Sequence, residues 1–185
     1  MNTDLEQDEK LIKQYLNGSQ DSFNELYQKY KRQLYSYLNK MLPGQSSLVD
    51  DLFQKTWVKI IANLEKYKCQ QKFLAWAMRI SHNIAIDHFR KEKNFMNADE
   101  FDVDRNDYGN HKNEPWREMA DDELRKILAI ALGELSLEQR EVFLLRQKGV
   151  SFKEIAEMQK GSINTVLARM QYAMKKLKCI VKNKV

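Results

Sequence analysis

The sequence predicts an all-α protein made of two helical domains with an acidic linker between them. Only two prolines and six glycines occur in 185 residues, and these residue types break helices most strongly. In both halves apolar residues recur at three- and four-residue steps, which is the spacing of one helix face. Acidic residues collect between the two halves. We therefore place the domains at residues 1–93 and 124–185, and the linker at residues 94–123.

The bulk composition excludes several classes of protein. A formal net charge of +5 favours an anionic partner only weakly. No apolar run approaches the roughly 20 residues that a membrane helix needs, and the first ten residues lack the order of a secretion signal. Cys69 and Cys179 do not have the spacing of paired metal ligands. We expect a cytoplasmic protein with reduced thiols and no direct membrane insertion.

Four helices are expected in the N-terminal domain, at about residues 5–17, 20–42, 48–67 and 72–93. The last three carry apolar stripes at helical spacing, and such stripes pack together as a helical bundle. The predicted stripe of the third helix contains Leu52, Trp57, Ile60, Ile61 and Leu64. That of the fourth helix contains Phe73, Trp76, Ala77, Ile80 and Ile84.

One face of the fourth helix is expected to be exposed. Its residues recur at steps of four, three and four, and a further cation follows them: Arg79, Asn83, Ile86, Arg90 and Lys91. Arginine and asparagine make two-pronged contacts with bases or phosphates. A solvated helix face with scattered cations has the same pattern, so nucleic-acid binding and a plain solvent-facing surface both remain open.

The third helix begins with an acidic and polar edge formed by Asp50, Asp51 and Gln54. Carboxylates in a first helical turn interact favourably with the helix dipole. That effect explains the edge without a partner, and only a basic partner surface would give it a further role.

The linker and the C-terminal end carry opposite charges. From residue 97 to residue 124, ten acidic residues occur with three basic ones, a net charge of −7. From residue 148 to the end, nine basic residues occur with two acidic ones, a net charge of +7. An acidic stretch with few apolar residues cannot bury enough surface to offset its ordering entropy. This composition predicts a flexible connection.

The C-terminal domain contains two short helices around a tight turn. Ser151 and Glu154 have the spacing of a capping box, and Gly161 ends the helix that follows. Ser162 can cap a second helix with the apolar stripe Ile163, Val166, Met170 and Ala173, and the cations Lys175, Lys176 and Lys178 lie near its end. This arrangement is typical of a DNA-reading helix-turn-helix, although an ordinary helical hairpin with a solvated basic end has the same pattern.

The sequence contains no catalytic constellation. His82 and His88 are six residues apart, or about 120° around a helix, which does not suit joint metal binding. Neither a phosphate-binding glycine loop nor a G-x-S-x-G elbow occurs. We therefore expect no enzyme activity, catalytic residue, metal, cofactor or small-molecule substrate.

Several segments together resemble the extracytoplasmic-function sigma factors of bacterial RNA polymerase. Region 2 of that family resembles DDLFQKTWVKI at residues 50–60 and FLAWAMRISHNIAIDHFRK at residues 73–91. Region 4 resembles LGELSLEQREVFLLRQKGVSFKEIAEMQKGSINTVLARMQYAMKKLK at residues 132–178. The resemblance rests on the spacing F-x-x-W-x-x-x-I-x-x-N-x-x-x-D-x-x-R combined with R-E-V-F-x-L and T-V-x-x-R. It covers nearly all of the chain outside the linker and the extreme termini.

The resemblance implies a sigma factor that binds core RNA polymerase, recognises the −10 and −35 elements of promoter DNA and promotes DNA opening. Asp51 and Gln54 would dock on the clamp helices of the largest polymerase subunit. The −10 strand would contact Arg79, Asn83, Arg90 and Lys91. The −35 duplex would contact Asn164, Thr165, Ala168, Arg169, Gln171, Lys175 and Lys176. The resemblance also implies an anti-sigma factor as a further partner.

Three departures from the family pattern lead to expectations of their own. Lys55 follows Gln54 where an acidic residue is usual, so the polymerase contact differs in detail. Lys160 stands where the turn usually has glycine, so the turn is either reshaped or holds Lys160 in a left-handed conformation. Leu167 and Tyr172 stand where basic residues are common, so DNA affinity depends more on the lysines beyond them.

The residue patterns also fit a free-standing helix-turn-helix transcriptional regulator whose N-terminal bundle senses a ligand or dimerises. Such a regulator has no reason to carry the region 2 pattern, so that pattern distinguishes the two hypotheses. A regulator would bind duplex DNA alone and would not confer initiation on core polymerase.

Overall fold

The computed structural model of the chain describes residues 3–68, 72–96 and 122–184. These residues form helices and no strands, which confirms the predicted all-α fold. The helices of the N-terminal half are α1 (Thr3–Leu16), α2 (Gln20–Met41), α3 (Ser46–Asn63), the short 3₁₀ helix η1 (Leu64–Lys66) and α4 (Phe73–Met96). Those of the C-terminal half are α5 (Asp122–Gly133), α6 (Leu137–Gln147), α7 (Phe152–Met158) and α8 (Ile163–Lys184).

The described residues form two compact units. One unit comprises those of Met1–Leu38 and Ser47–Val103, and the other comprises those of Asn39–Ser46 and Asp104–Val185. Residues 97–121, which contain most of the predicted linker, lie outside the described residues, as does Cys69. The domain and linker bounds expected from the sequence therefore stay predictions. Within the described ranges, no helix combines the length and the apolar character that crossing a membrane requires.

The core of the first unit is built from apolar side chains of α2, α3 and α4. Leu26 and Leu34 of α2 are fully buried, as are Ile60 of α3 and Phe73 of α4. The ring centroid of Phe73 lies 4.9 Å from that of Tyr30 on α2. Removing side chains of this size from water is the main driving force for a helical bundle.

The buried face of α3 differs from the predicted stripe. Ile61, which the stripe included, is 40% exposed, whereas Thr56 is fully buried. Thr56 is tolerated there because its Oγ1 donates a hydrogen bond to the carbonyl oxygen of Leu52 at 2.7 Å. A buried hydroxyl that is hydrogen-bonded costs little, so apolar character alone assigned the face incorrectly.

The buried face of α4 combines small residues with larger ones such as Phe73 and Met78. Ala77, Ser81 and Ala85 are buried, whereas Ile80 and Ile84 of the predicted stripe are half-buried. Ser81 Oγ donates to the carbonyl oxygen of Ala77 at 3.0 Å, which satisfies the hydroxyl in the core. The distance between packed helices depends on the side chains at the contact. The face that packs is therefore rotated from the predicted stripe, and the two isoleucines lie at its edge.

A buried polar cluster joins α1 to α2. Asp8 is buried, and its carboxylate accepts hydrogen bonds from the Tyr30 hydroxyl at 2.5 Å and from Lys29 Nζ at 2.8 Å. Because each carboxylate oxygen has a partner, the charge can be removed from water without a large penalty. The cluster anchors α1 to the rest of the unit.

In the second unit α8 packs against α5, α6 and α7. Val142, Leu145, Ile155 and Val166 are buried, and they contribute apolar side chains from α6, α7 and α8 to one core. Three helices therefore support the inward face of α8 and leave its other side exposed.

Arg140 closes the end of α5. Its guanidinium donates hydrogen bonds to the carbonyl oxygens of Leu132, Gly133 and Leu135 at 2.7, 3.0 and 3.1 Å. Carbonyl groups at the end of a helix have no partner inside the helix, so the guanidinium supplies the donors that the helix itself cannot. Burial lowers the pKa of the Arg140 guanidinium below its usual value.

Candidate nucleic-acid interface

α7 and α8 form the predicted helix-turn-helix, and a serine caps the start of each helix. Ser151 Oγ accepts from the backbone N–H of Glu154 at 3.2 Å, and the Glu154 carboxylate accepts from the N–H of Ser151 at 2.8 Å. This reciprocal pair is the predicted capping box. Ser162 Oγ accepts from the N–H of Thr165 at 3.0 Å, as expected for the cap of α8.

The turn between α7 and α8 contains a lysine in the left-handed conformation. The φ angle of Lys160 is 51°, a value that residues other than glycine rarely adopt. The N–H of Gly161 donates to the carbonyl oxygen of Ala156 at 2.9 Å, and the N–H of Lys160 donates to that of Glu157 at 3.3 Å. Of the two outcomes predicted for this turn, the left-handed lysine is confirmed.

The outward face of α8 holds most of the side chains that were predicted to read DNA. Val166, Ala173 and Leu177 form its buried face. The opposite side exposes Asn164, Thr165, Ala168, Gln171 and Lys175. The carboxamides of asparagine and glutamine pair with the major-groove edge of adenine, and the methyl groups of alanine and threonine contact the methyl group of thymine. The exposed row is therefore chemically suited to base recognition.

Ile163 does not belong to the buried face of α8, contrary to the predicted stripe. It is 46% exposed. Leu167 and Met174, at helical spacing from it, are also exposed. Two neighbouring stripes thus satisfy the same three- and four-residue spacing, and only packing against the other helices distinguishes them.

Arg169 reaches the end of α7 and is half-buried. Its Nη1 donates a hydrogen bond to Gln159 Oε1 at 2.7 Å. Gln159 Nε2 donates in turn to the carboxylate of Glu141 at 2.8 Å. Neither Gln159 nor Glu141 was predicted from the sequence, because no local spacing relates residues from α6, the turn and α8.

Lys176 also has a partner within the protein. Its Nζ donates to the carbonyl oxygen of Glu134 and lies 3.8 Å from a carboxylate oxygen of the same residue. Lys175 and Lys178 are exposed on the same helix. Because the ammonium group of Lys176 already interacts with Glu134, we expect Lys176 to contribute less to phosphate binding than the other two lysines.

The face of α4 that was predicted to be exposed is only partly so. Asn83 and Arg90 are exposed, whereas Arg79 and Ile86 are half-buried. Arg90 Nη1 lies 3.9 Å from Asp87 Oδ1 in an exposed ion pair. Lys91 belongs to α4, but its side chain lies outside the described residues. Asn83 therefore presents an accessible amide on the same helix as an accessible cation, Arg90.

A shallow groove runs along α3. Its lining includes the two predicted polymerase contacts and four further residues: Asp51, Gln54, Lys55, Val58, Lys59 and Ala62. Val58 is 67% exposed, and the exposed Ile61 lies three residues further on. Val58 was not predicted as a site residue, although an apolar residue one turn beyond Gln54 on a polar face was a usable signal. The groove is therefore lined by both polar and apolar side chains.

Two family matches account for both units. Residues 26–95 match the family Sigma-70 region 2, and residues 125–177 match the family Sigma-70, region 4. Several curated relatives over most of the chain are extracytoplasmic-function sigma factors. The chain belongs to that family. A sigma factor of this family serves in promoter recognition and transcription initiation.

Individual relatives match different fractions of this sigma factor. The ECF RNA polymerase sigma factor SigW of Bacillus subtilis is 33% identical over 84 residues, which are 45% of this chain and 44% of that protein. The RNA polymerase sigma factor CarQ of Myxococcus xanthus is 27% identical over 90% of this chain and 93% of that protein.

The sigma factor RpoE from Bartonella quintana, solved in complex with the anti-sigma factor NepR, has a TM-score of 0.69 at 21% identity. That match covers 86% of this chain and 96% of the solved chain. At this level of identity the likeness concerns the fold.

Proposed function

We propose that this chain binds core RNA polymerase, directs it to promoters through the −10 and −35 elements, and promotes opening of the DNA. The observation that carries the proposal is the combination in one chain of both matched sigma regions with an exposed polar row on α8. The polymerase performs the chemistry, and this chain contributes binding and specificity without catalysis of its own. It acts in the cytoplasm, where polymerase and promoter DNA meet.

The −35 contact is assigned to α8 in this proposal. The exposed residues Asn164, Ala168 and Gln171 follow one another at steps of four and three, so they form one row along the helix. Such a row fits the major groove, where each base pair presents a distinct set of donors, acceptors and methyl groups. Thr165 lies beside the row, and Lys175 supplies phosphate contacts that add affinity without sequence information.

The −10 contact is assigned to α4. Asn83 exposes an amide that can pair with the edge of an unpaired base, while Arg79, Arg90 and Lys91 supply positive charge along the same helix. Holding an extruded base in the protein offsets the cost of unstacking it. Contacts of this kind favour the open form of the promoter over the duplex.

The polymerase contact is assigned to the groove along α3. Asp51 and Gln54 provide polar groups, and Val58 provides exposed apolar surface between them and Ala62. Stable protein interfaces commonly place apolar contacts at the centre and polar groups at the rim. Lys55 lines the same groove, so its cation would face the polymerase directly.

We also propose that an anti-sigma factor controls this chain. The solved RpoE from Bartonella quintana is bound to the anti-sigma factor NepR. In this chain Ile163, Leu167 and Met174 expose apolar surface along α8, and exposed apolar patches mark protein contacts. A partner that covers them would lie beside the reading row of α8 and would compete with DNA.

Run-off transcription with purified core polymerase tests the proposed function. The template is a library of promoters with randomised −10 and −35 elements, and the comparison is core enzyme with and without this chain. We expect defined transcripts only when the chain is present. Without chain-dependent transcripts, the proposal is wrong. The alternative, a free-standing regulator, would bind duplex DNA but leave core enzyme unable to initiate, and the match of residues 26–95 to region 2 weighs against it.

A further inference from the structure

A chain of hydrogen bonds connects α6 to the middle of α8 through the end of α7. Glu141 accepts from Gln159 Nε2 at 2.8 Å, and Gln159 Oε1 accepts from Arg169 Nη1 at 2.7 Å. Gln159 Nε2 also donates to the carbonyl oxygen of Glu138 at 3.1 Å. The three side chains therefore form a polar relay, Glu141–Gln159–Arg169, that ends on the proposed DNA-reading helix.

Burial of Glu141 fixes the orientation of the relay. Glu141 is only 1% exposed, and a buried carboxylate needs hydrogen-bond donors. Of the two polar groups of the Gln159 amide, only the NH₂ group can donate to the Glu141 carboxylate, because the amide oxygen is an acceptor. The amide oxygen must then point away from Glu141 and toward Arg169. Gln159 thus presents a fixed acceptor at a fixed place.

A fixed acceptor restricts the guanidinium of Arg169. A free arginine side chain samples many rotamers, and binding must suppress them at an entropic cost. Here one N–H of Nη1 is held by Gln159, while a guanidinium carries five N–H donors in a rigid plane. Holding one corner of that plane fixes the direction of the remaining donors before DNA arrives.

We propose that Gln159, held by the buried Glu141, is a positioning residue that orients Arg169 and thereby sets which bases of the −35 element this sigma factor prefers. The proposal rests on the proposed function of α8. Gln159 acts through Arg169 and does not itself contact DNA. The relay therefore matters for base preference more than for overall DNA affinity.

The test uses the complete chain bound to core polymerase and a promoter library randomised only in the −35 element. Base preferences are measured for the parent, Gln159→Met, Arg169→Ala and the double variant. Methionine keeps the length of the side chain but cannot form the three hydrogen bonds of the Gln159 amide. We expect Gln159→Met to reduce preference about fivefold at the same base positions that Arg169→Ala affects. The double variant should be no worse than Arg169→Ala alone.

Two further variants separate positioning from folding. Gln147→Met makes the same chemical change at an exposed glutamine at the end of α6 and should leave the base preferences unchanged. Gln159→Glu keeps an acceptor for Arg169 but places a second carboxylate beside Glu141. It should lower the melting temperature more than Gln159→Met while disturbing the base preferences less.

The outcomes distinguish this inference from the proposed function. If Gln159→Met lowers transcription equally at all −35 sequences, the positioning role is wrong and the relay only stabilises the fold. The positioning role is also wrong if Gln159→Met reduces base preference as much in the Arg169→Ala variant as in the parent. If the parent chain selects no −35 sequence at all, the proposed function of α8 is wrong, and this inference is wrong with it.

Discussion

At the scale of single residues, the exposed amide of Asn83 offers a way to separate DNA opening from DNA binding. We expect Asn83→Ala to reduce the fraction of open promoter about tenfold and to change binding of the closed duplex by less than about twofold. The variant removes a group that can bond to a base but keeps the cations of α4. Permanganate footprinting measures opening, and a mobility-shift titration of the holoenzyme measures binding.

The matched control for that experiment is Asn24→Ala. Asn24 is an exposed asparagine of the same unit, on α2, and its replacement should affect neither measurement. Opening by Asn83→Ala at the parental level would contradict the assignment of Asn83 to the −10 strand.

The buried carboxylate of Asp8 yields a prediction about stability. We expect Asp8→Ala to lower the free energy of unfolding by about 2–3 kcal/mol, because the buried carboxylate and its hydrogen bonds with the Tyr30 hydroxyl and Lys29 are lost. Urea unfolding followed by circular dichroism measures the change. Glu9→Ala removes the neighbouring exposed ion pair with Lys13 and should cost no more than about 0.5 kcal/mol. Equal losses from both variants would mean that the Asp8 cluster is not a special anchor.

At the scale of elements, the turn of the helix-turn-helix stores backbone strain. Lys160 has a φ of 51°, which costs a residue with a side chain roughly 1 kcal/mol relative to glycine. Glycine is also more flexible in the unfolded chain, which offsets part of that gain. We expect Lys160→Gly to raise the free energy of unfolding by about 0.5–1 kcal/mol, measured by thermal unfolding of the full chain.

A second exposed lysine provides the control for the turn. Lys148 lies at the end of α6 with a φ of −91°, a value that suits any side chain. Lys148→Gly removes the same charge but relieves no strain, so it should destabilise the protein slightly. If both variants shift stability in the same direction, the strain at Lys160 is not significant.

The helices themselves were predictable to within a few residues. The second helix was predicted at residues 20–42 and is observed at Gln20–Met41. The third was predicted as one helix to residue 67, but α3 ends at Asn63 and continues as the 3₁₀ helix Leu64–Lys66. No glycine or proline lies between residues 45 and 132 except Gly109 and Pro115. The change of helix type therefore left no local signal.

At the scale of the whole molecule, the positive charge near the C-terminal end should govern how salt affects promoter binding. We expect replacement of Lys175, Lys176 and Lys178 by glutamine to weaken all promoters alike. It should lower the slope of log K against log salt by about 0.9 for each phosphate that is no longer neutralised. Lys176 should contribute least, because it also contacts Glu134. Binding of the holoenzyme across a salt series measures each slope.

Two comparisons make the salt experiment decisive. Lys10→Gln combined with Lys13→Gln removes exposed charge from α1, which lies outside the region 2 match, and should leave the slope unchanged.

Arg169→Ala should weaken only promoters that depend on the −35 sequence, by about tenfold or more. Sequence-blind losses of equal size from Arg169→Ala and the lysine variant would mean that Arg169 contacts only phosphate.

Local sequence was sufficient for the all-α class, the caps at Ser151 and Ser162, and the left-handed alternative at Lys160. Capping, turn conformation and helical spacing act over about four residues, so a short stretch contains the information they need. The partners of Arg169 and Lys176 could not be read in this way, and neither could the burial of Thr56 in place of Ile61. Each depends on which residues distant in sequence the packed helices bring together, and no local spacing encodes that choice.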